Sequence, residues 1–476
     1  MDTERRRYGL AVLCALFLVV ATPLMRASGP DHRMIEAVKG RDQKAFAALL
    51  RSKVAINAAA PDGSTALAWA VHLGEREMAY ALLRAGANPN TRDGYGETPL
   101  TLACASGDGR LVQRLLEADA APAVTRWNGE TPLMLAAGAG SLDAVKALVQ
   151  HGADVNVAEP TRGQTALMWA AAEGHGEVVG ALIEMGADIK AVSSAGFTPL
   201  LFAVIKGDAL SVKTLVRAGA DPNAVTPSGS RPLLVALARN NTAAALTLLE
   251  NGALMTAVDR AGSSPLHIAA QQGNVTMVNA LLARKMDPNI RTPASNPGGT
   301  ANGAAGARGG QGRGGRGAAA RGGGGGARGN GPGLQTPLML AARADREDVM
   351  RALVAAGADP AARADDGSNL LMAAAAGARL KTFKYAYELD PHVDVVAATV
   401  NTTIMHAAVA QNGRTQPEVC EVIQFLADHG AALDELDAAG RTPIVAADSL
   451  PVDQAVDLLT KLITDRGGKP KIPSKR

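Results

Sequence analysis

Residues 163–188 read GQTALMWAAAEGHGEVVGALIEMGAD, and much of the chain repeats this pattern. Apolar residues at helical spacing follow Thr165, which predicts a short first helix with this threonine as its N-cap. Gly174 predicts a turn, and the apolar positions of 178–183 lie on one face of a second helix. Gly186 then ends that helix. The stretch therefore predicts two short helices joined by a tight turn, followed by an extended finger.

The pattern returns at a nearly constant interval. A Thr-Pro-Leu-like triplet begins at Thr65, Thr98, Thr131, Thr165, Thr198, Arg231, Ser264, Thr336, Asn369, Thr403 and Thr442. Successive starts are 33 or 34 residues apart, except for a step of 72 after Ser264 and one of 39 after Thr403. A fixed period of this size predicts a stack of similar supersecondary repeats without a single central core. Such a stack offers a long surface, which favours a binding function.

One position in every repeat is restricted to a small side chain. The residue five places after each triplet start is always alanine, from Ala70 in the first to Ala447 in the last. A repeated small residue predicts close approach between helices. A larger side chain there would overpack the stack by about 1–3 kcal/mol.

The repeat resembles the ankyrin repeat. Residues 264–270, SPLHIAA, lie close to that family's T-P-L-H-x-A core, and residues 152–156 and 219–223 match its segment between repeats. The resemblance covers roughly residues 31–464. It implies an all-α repeat solenoid, in which helix-turn-helix repeats stack and carry β-hairpin-like fingers.

The phase of the repeats divides the chain into five segments. We predict a signal peptide or signal anchor at 1–29, a cap and seven repeats at 31–290, and four repeats ending in a cap helix at 334–464. The segment 291–333, rich in Gly and Arg, cannot bury a core and is expected to be a disordered loop. Residues 465–476 form a basic tail. Because the phase resumes after the loop, we expect the stack to continue past it.

The N-terminal segment has the pattern of an export signal. Three arginines at 5–7 precede an uncharged run at 10–25. The basic cluster predicts that the N-terminus stays inside while the repeats are exported. We therefore expect a periplasmic or secreted protein, held at a membrane only if this segment remains uncleaved. The Arg-rich and Ala-rich composition is typical of a bacterial protein.

The family resemblance implies where a partner would bind. In ankyrin-like stacks, partners usually contact the finger tips and the outer side of the first helices, on the concave face. The matching finger-tip residues are Arg92, Tyr95, Arg126, Trp127, Asn128, Arg162 and Phe197, and the matching helix residues are His72, Lys206 and Arg239. The three aromatic residues stand out in a chain with 3% aromatic residues, and exposed aromatic and Arg side chains are typical of interface hot spots. Alternatively, each ring packs on a neighbouring finger.

No motif for catalysis, metal binding or cofactor binding is present. The sequence has no Walker A, His-Glu-x-x-His, Gly-x-Ser-x-Gly or Cys-x-x-Cys pattern, and its eight histidines are scattered among the repeats. Cys104 and Cys420 are too many repeats apart for a disulfide. The net charge of +3 does not indicate a particular partner. We therefore predict no catalytic residue, no metal and no cofactor.

Together these features predict a monomeric, non-enzymatic scaffold that binds a partner protein along the concave ankyrin face. The alternative is a cytoplasmic nucleic-acid-binding protein that uses the arginines of the 291–333 loop, since Arg-rich segments bind single strands by charge and stacking. The loop lacks Tyr and Phe between its arginines, and an exported protein would meet no RNA. Protein binding is therefore the favoured hypothesis, and nucleic acid is not the expected partner.

Overall fold

The computed structural model describes residues 31–52, 54–294, 333–398, 401–410 and 412–470. These residues form two compact units. The first contains the described residues up to 170 together with 184–187, and the second contains 171–183 and the residues from 188 onward. The predicted export signal at 1–29 lies outside the described residues, as does 295–332 of the predicted Gly/Arg loop.

The first unit is built from pairs of short helices. They are α1 (Arg33–Lys39), α2 (Gln43–Arg51), α3 (Ala66–His72), α4 (Arg76–Arg84), α5 (Pro99–Ala105), α6 (Gly109–Glu117), α7 (Pro132–Gly138) and α8 (Leu142–Gln150). Each pair is one repeat, and its first helix packs on the first helix of the next repeat: α1 on α3, α3 on α5, and α5 on α7. The second helices α4, α6 and α8 pack in the same succession. Helices α9 (Ala166–Glu173) and α10 (Gly176–Glu184) follow in the chain.

The second unit repeats this arrangement. Its helices are α11 (Pro199–Lys206), α12 (Ala209–Arg217), α13 (Pro232–Ala238), α14 (Thr242–Glu250), α15 (Pro265–Gln272), α16 (Val275–Ala283), α17 (Pro337–Arg343), α18 (Glu347–Ala355), α19 (Leu370–Ala375), α20 (Leu380–Leu389), α21 (Ile404–Ala408), α22 (Gln416–Asp428), α23 (Pro443–Asp448) and α24 (Asp453–Asp465). Between α20 and α21, β1 (Val396–Ala397) pairs antiparallel with β2 (Thr402–Thr403). The fold is therefore an all-α stack of paired helices, as the period predicted.

The first helices begin where the triplets predict. Thr98 is extended and accepts the backbone N–H of Thr101 at 3.2 Å, while the proline after it occupies the first helical turn. Asn369 replaces the threonine of its triplet and still caps α19, accepting a backbone N–H at 2.8 Å. Arg231 does not cap α13, and its guanidinium instead donates to the carbonyl of Asn223 at 2.7 Å.

The repeated alanine is completely buried in every repeat. Its exposed fraction is 0% at Ala70, Ala103, Ala136, Ala170, Ala203, Ala236, Ala269, Ala341, Ala374, Ala408 and Ala447. The predicted close approach of the helices is thereby confirmed. The methionines at 134, 168, 339 and 372 are buried beside it, as expected for core packing.

Asparagine side chains connect successive repeats. The amide of Asn90 donates to the carbonyl of Asp119 at 2.8 Å and accepts the N–H of Ala121 at 2.8 Å. In the second unit, Asn289 makes the same pair of bonds to the carbonyl of Gly357 (3.0 Å) and the N–H of Asp359 (2.7 Å). The repeats before and after the 295–332 segment are therefore in direct contact.

The finger that carries this segment has a closed base. The N–H of Thr292 donates to the carbonyl of Gln335 at 3.0 Å, and the N–H of Gln335 donates to Oγ1 of Thr292 at 3.0 Å. Thr226 and Ser230 make the same two bonds in an ordinary finger. Leu334 has φ of 55°, at the place where other fingers have a left-handed glycine.

The fingers are mostly tight turns and not strand pairs. Besides β1 and β2, the described residues contain two isolated β-bridges, at Ala59–Thr65 and Ala158–Thr165. A side chain near each tip explains this: Oδ1 of Asp93 accepts N–H groups two and four residues later, and Asp259 does the same. Such local bonds compete with a strand ladder. The fingers predicted to resemble β-hairpins are therefore mostly tight turns in the structure.

The repeat that begins at Thr403 is 39 residues long, and it contains a buried arginine. Arg414 is 3% exposed, and its guanidinium donates to the carbonyls of Ala378 (3.2 Å) and Ala408 (2.9 Å). Burial lowers the pKa of Arg414 to about 10. The extra residues thus place a cation at the carboxyl end of α21, where it is favoured by the helix dipole.

The alanine contact yields a stability prediction. Ala136→Leu in α7 should lower the free energy of unfolding by about 1–3 kcal/mol, because the added atoms have no space in a fully buried position. Urea denaturation of the intact protein measures the change. The exposed Ala105→Leu in α5 is the control and should stay within about 0.5 kcal/mol of the wild type. Equal stability of the two variants would contradict tight packing at Ala136.

Candidate functional site

The predicted contact residues fall in both compact units. Arg92, Tyr95, Arg126, Trp127, Asn128 and Arg162 lie on fingers of the first unit, and His72 ends its helix α3. Phe197, Lys206 and Arg239 lie in the second unit. The structure therefore brings the first group together on consecutive fingers, and the second group forms a separate set.

The tip at Tyr95 is a tight turn fixed by one carboxylate. Asp93 Oδ1 accepts the N–H groups of Tyr95 and Glu97, each at 2.8 Å. Gly96 has φ of 77° and closes the turn with an N–H bond to the carbonyl of Asp93 at 3.0 Å. At this turn the side chain of Tyr95 is 71% exposed.

The next tip repeats the turn with a tryptophan. The N–H of Gly129 donates to the carbonyl of Arg126 at 3.0 Å, and the N–H of Glu130 donates to Oδ1 of Asn128 at 3.2 Å. Trp127 is 81% exposed, more than any other large hydrophobic side chain among the described residues. Its indole is therefore available for contact.

Adjacent tips in the first unit are stacked backbone against backbone. The N–H of Gly94 donates to the carbonyl of Asp62 on the preceding finger at 2.7 Å. A Cβ on Gly96 would lie 3.2 Å from the backbone nitrogen of Trp127. A side chain at Gly96 would therefore crowd the next tip, while the rings of Tyr95 and Trp127 are exposed.

The guanidinium of Arg126 lies between two carboxylates. It pairs with Glu130 at 2.9 Å and with Glu97 of the preceding finger. Burial acts against its charge, but the hydrogen bonds to the two carboxylates outweigh burial and raise the pKa of Arg126. Arg126 is therefore engaged in holding adjacent fingers together, and its availability to a partner stays a prediction.

A buried glutamate shapes the following finger. Glu159 is 2% exposed and accepts the backbone N–H groups of Thr161 (2.7 Å) and Arg162 (2.8 Å). Burial acts to raise the pKa of Glu159, but these backbone hydrogen bonds outweigh it and lower the pKa. The Arg162 side chain stays largely exposed, 3.9 Å from both Glu130 and Glu159.

His72 and Arg92 complete the group in the first unit. The exposed ring of His72 meets Trp69 edge-on, with 5.6 Å between the ring centroids, and Nζ of Lys39 lies 4.4 Å above the same indole. Trp69 is half-buried, and its Nε1 donates to Ser64 Oγ at 2.9 Å. Arg92 is exposed and has no ion pair within the described residues. The fingers that carry the two tip aromatics therefore present arginines paired with carboxylates, together with the unpaired Arg92.

The predicted contacts in the second unit are less prominent. Phe197 is half-buried, and its ring lies 6.0 Å from that of Phe202 on α11. Lys206 is exposed and lies 3.4 Å from a carboxylate oxygen of Glu173. Arg239 is exposed after α13. Phe197 thus packs on its own repeat, although the sequence places it in the same class as Tyr95.

A row of exposed valines was not predicted from the sequence. Val192, Val225 and Val258 are each more than half exposed on three successive fingers of the second unit. Each precedes its triplet by six residues, so the regular spacing was the available signal. An isolated exposed apolar residue is ordinary, but a row of three is not.

No metal-binding cluster of His, Cys, Asp and Glu side chains occurs in the part of the chain that the structure describes. Within the same residues, no helix has both the length and the apolar character needed to cross a bilayer.

Two family models match this chain. The model described as "Ankyrin repeats (3 copies)" matches residues 34–125, 100–193 and 200–292, and the model described as "Ankyrin repeat" matches 334–365. The chain belongs to the ankyrin-repeat family. No curated protein matches it significantly. Ankyrin repeats are typically non-catalytic scaffolds for protein–protein interaction, and both matching models describe this module.

We expect Glu159 to make the stability of the ankyrin stack sensitive to acid. Because its folded-state pKa is lowered, its contribution to stability is fully present above its unfolded pKa of about 4.3 and is lost as the pH falls through the folded value. The free energy of unfolding should therefore fall more steeply between about pH 5 and pH 3 in the wild type than in Glu159→Gln. Denaturant titrations at several pH values measure the slope.

The exposed Glu77→Gln on α4 is the matched control and should keep the wild-type pH dependence. An unchanged slope in Glu159→Gln would show that the buried carboxylate does not contribute in this way.

Proposed function

We propose that this ankyrin-repeat protein binds a partner protein at the finger tips of its first unit, with Tyr95 and Trp127 as anchors. The observation that carries the proposal is the exposure of both rings on adjacent, stacked turns. Tyr and Trp are enriched among the residues that dominate interface energies. No activity beyond binding is needed to account for this surface.

The rigidity of the tips supports the proposal. The carboxylate of Asp93 fixes one turn, and the hydrogen bond between Gly94 and Asp62 fixes one finger to the next. A preformed backbone reduces the conformational entropy that a partner would otherwise have to order. The two rings have few rotatable bonds, so the aromatic contact would add little further cost.

The remaining predicted residues take different roles in this proposal. Arg92, Asn128 and Arg162 would contribute polar contacts around the aromatic rings, and His72 would extend the surface onto a first helix. Arg126 would act by holding its neighbours in place. Phe197, Lys206 and Arg239 are proposed as further contacts on the second unit.

Truncating both anchors tests the surface. The double variant Tyr95→Ala/Trp127→Ala should weaken capture of the native partner by at least about thirtyfold, since one lost hot spot costs about 2 kcal/mol or more. Stability should change by less than about 0.5 kcal/mol because both rings are exposed. Affinity capture from the native host, followed by titration with the identified partner, measures the change.

Photo-crosslinking provides the matched control. A photoreactive phenylalanine analogue at Trp127 should form an adduct with the partner, and the same analogue at the exposed Lys44 of α2 should not. Unchanged capture by the double variant, together with equal adducts from both positions, would rule out the finger tips as the site.

We also propose that the repeats act outside the cytoplasm, on the basis of the basic and apolar pattern at 1–29. The mature N-terminus should lie between about residues 22 and 31 in the periplasmic or secreted fraction, because a cleaved signal would remove the apolar run. Cell fractionation and N-terminal sequencing measure both properties. An intact chain in the cytosol would overturn this proposal and would return attention to the arginines of 291–333.

A further inference from the structure

We propose that the first unit carries a second binding surface, a groove across its second helices that holds an acidic peptide segment. The groove has a volume of about 520 Å³ and crosses α4, α6 and α8. None of its lining residues belongs to the finger tips, so the two surfaces can be tested independently.

Glycine at the start of α6 creates the shape of the groove. A Cβ on Gly109 would lie 2.7 Å from Cβ of Asp143 and 3.2 Å from the backbone nitrogen of Ala144. Any other residue would push α8 away, because the 2.7 Å separation is shorter than two carbon atoms tolerate. The missing side chain therefore lets α8 approach α6 closely and brings the cations of the two helices to one groove, and the ring of Tyr80 on α4 lines the groove on the side of the preceding repeat.

The charges that line the groove favour an anion. Arg110 and Lys146 are exposed, and neither makes an ion pair within the described residues. Arg114 is paired with Glu117 at 2.7 Å, and its guanidinium lies 5.7 Å from the ring centroid of Tyr80. Asp143 is the one carboxylate among the lining residues. Two cations with free hydrogen-bonding capacity therefore face a shared space on neighbouring helices.

The dimensions of the groove fit an extended peptide. Successive helices are about 8–10 Å apart, so three of them span roughly 20 Å. An extended chain covers that distance in about six residues. Glutamate or aspartate side chains from such a segment can reach Arg110 and Lys146, while the ring of Tyr80 supplies an apolar contact.

A nucleic acid fits the groove less well than an acidic peptide. Single strands are held by bases that stack on several aromatic rings along a basic track, and Tyr80 is the one aromatic residue among the lining residues. The equivalent part of the second unit also differs in composition. Leu210 on α12 occupies the helix position of Arg110, while Lys213 occupies that of Lys146. Lys213 is exposed and therefore provides a matched control.

The test uses the full chain and a fluorescein-labelled hexaglutamate peptide, with binding followed by fluorescence anisotropy at low salt. Arg110→Glu and Lys146→Glu should each weaken binding about tenfold, and affinity should fall as salt is raised. Lys213→Glu changes the net charge equally and should leave binding within about twofold of the wild type. Tyr95→Ala/Trp127→Ala should also bind the peptide normally, so failure here and failure of the finger-tip proposal are distinguishable.

Three results would overturn the proposal. They are absence of hexaglutamate binding to the wild type, equal losses in Lys146→Glu and Lys213→Glu, and retention of full binding by Arg110→Glu/Lys146→Glu. Tighter binding of a single-stranded oligonucleotide than of hexaglutamate, abolished by the same two substitutions, would reassign the groove to nucleic acid. Circular dichroism of each variant checks that the helices remain folded.

Discussion

The close approach of first helices in successive repeats is the contact on which the rest of the molecule depends. A pair of seven- to nine-residue helices cannot cover its own apolar face, so each repeat is stable only against its neighbours. The completely buried alanine permits that approach, and the asparagine amides fix the spacing of the segments between repeats. Some finger tips are also fixed to their neighbours, as in the hydrogen bond from the N–H of Gly94 to the carbonyl of Asp62.

The fold followed from the sequence because its signals are local and repeated. The helix starts, the turns and the buried alanines recur in phase. The prediction for an irregular repeat can therefore be checked against the other repeats. Even where glycine is missing from the turn after a first helix, the left-handed backbone persists: Asn240 has φ of 55° and Asp345 has φ of 61°. Asn369 likewise keeps its cap because its side chain is a suitable acceptor, whereas arginine at 231 is not.

The candidate sites were only partly predictable, because they depend on contacts between fingers and between helices. The exposure of Tyr95 and Trp127 is consistent with the family's usual contact surface, but the sequence does not reveal that Phe197 packs on Phe202 or that Arg126 joins two carboxylates. The groove on the second helices was missed because its signal is an absence, the side chain lacking at Gly109. Whether that absence brings two helices close together depends on the position of Asp143 in the next repeat.

Thr292 and Gln335 close the base of their finger by hydrogen bonds. The length of the insertion therefore does not affect how the repeats on either side stack. The two residues are bonded as they would be in a short turn, and Asn289 still reaches Gly357 in the following repeat. Chain length between 294 and 333 is therefore free to vary, since the entropy of closing a loop rises slowly with its length. This finger is a natural attachment point at which a fluorescent or affinity module could be spliced into the protein without changing the register of the repeats.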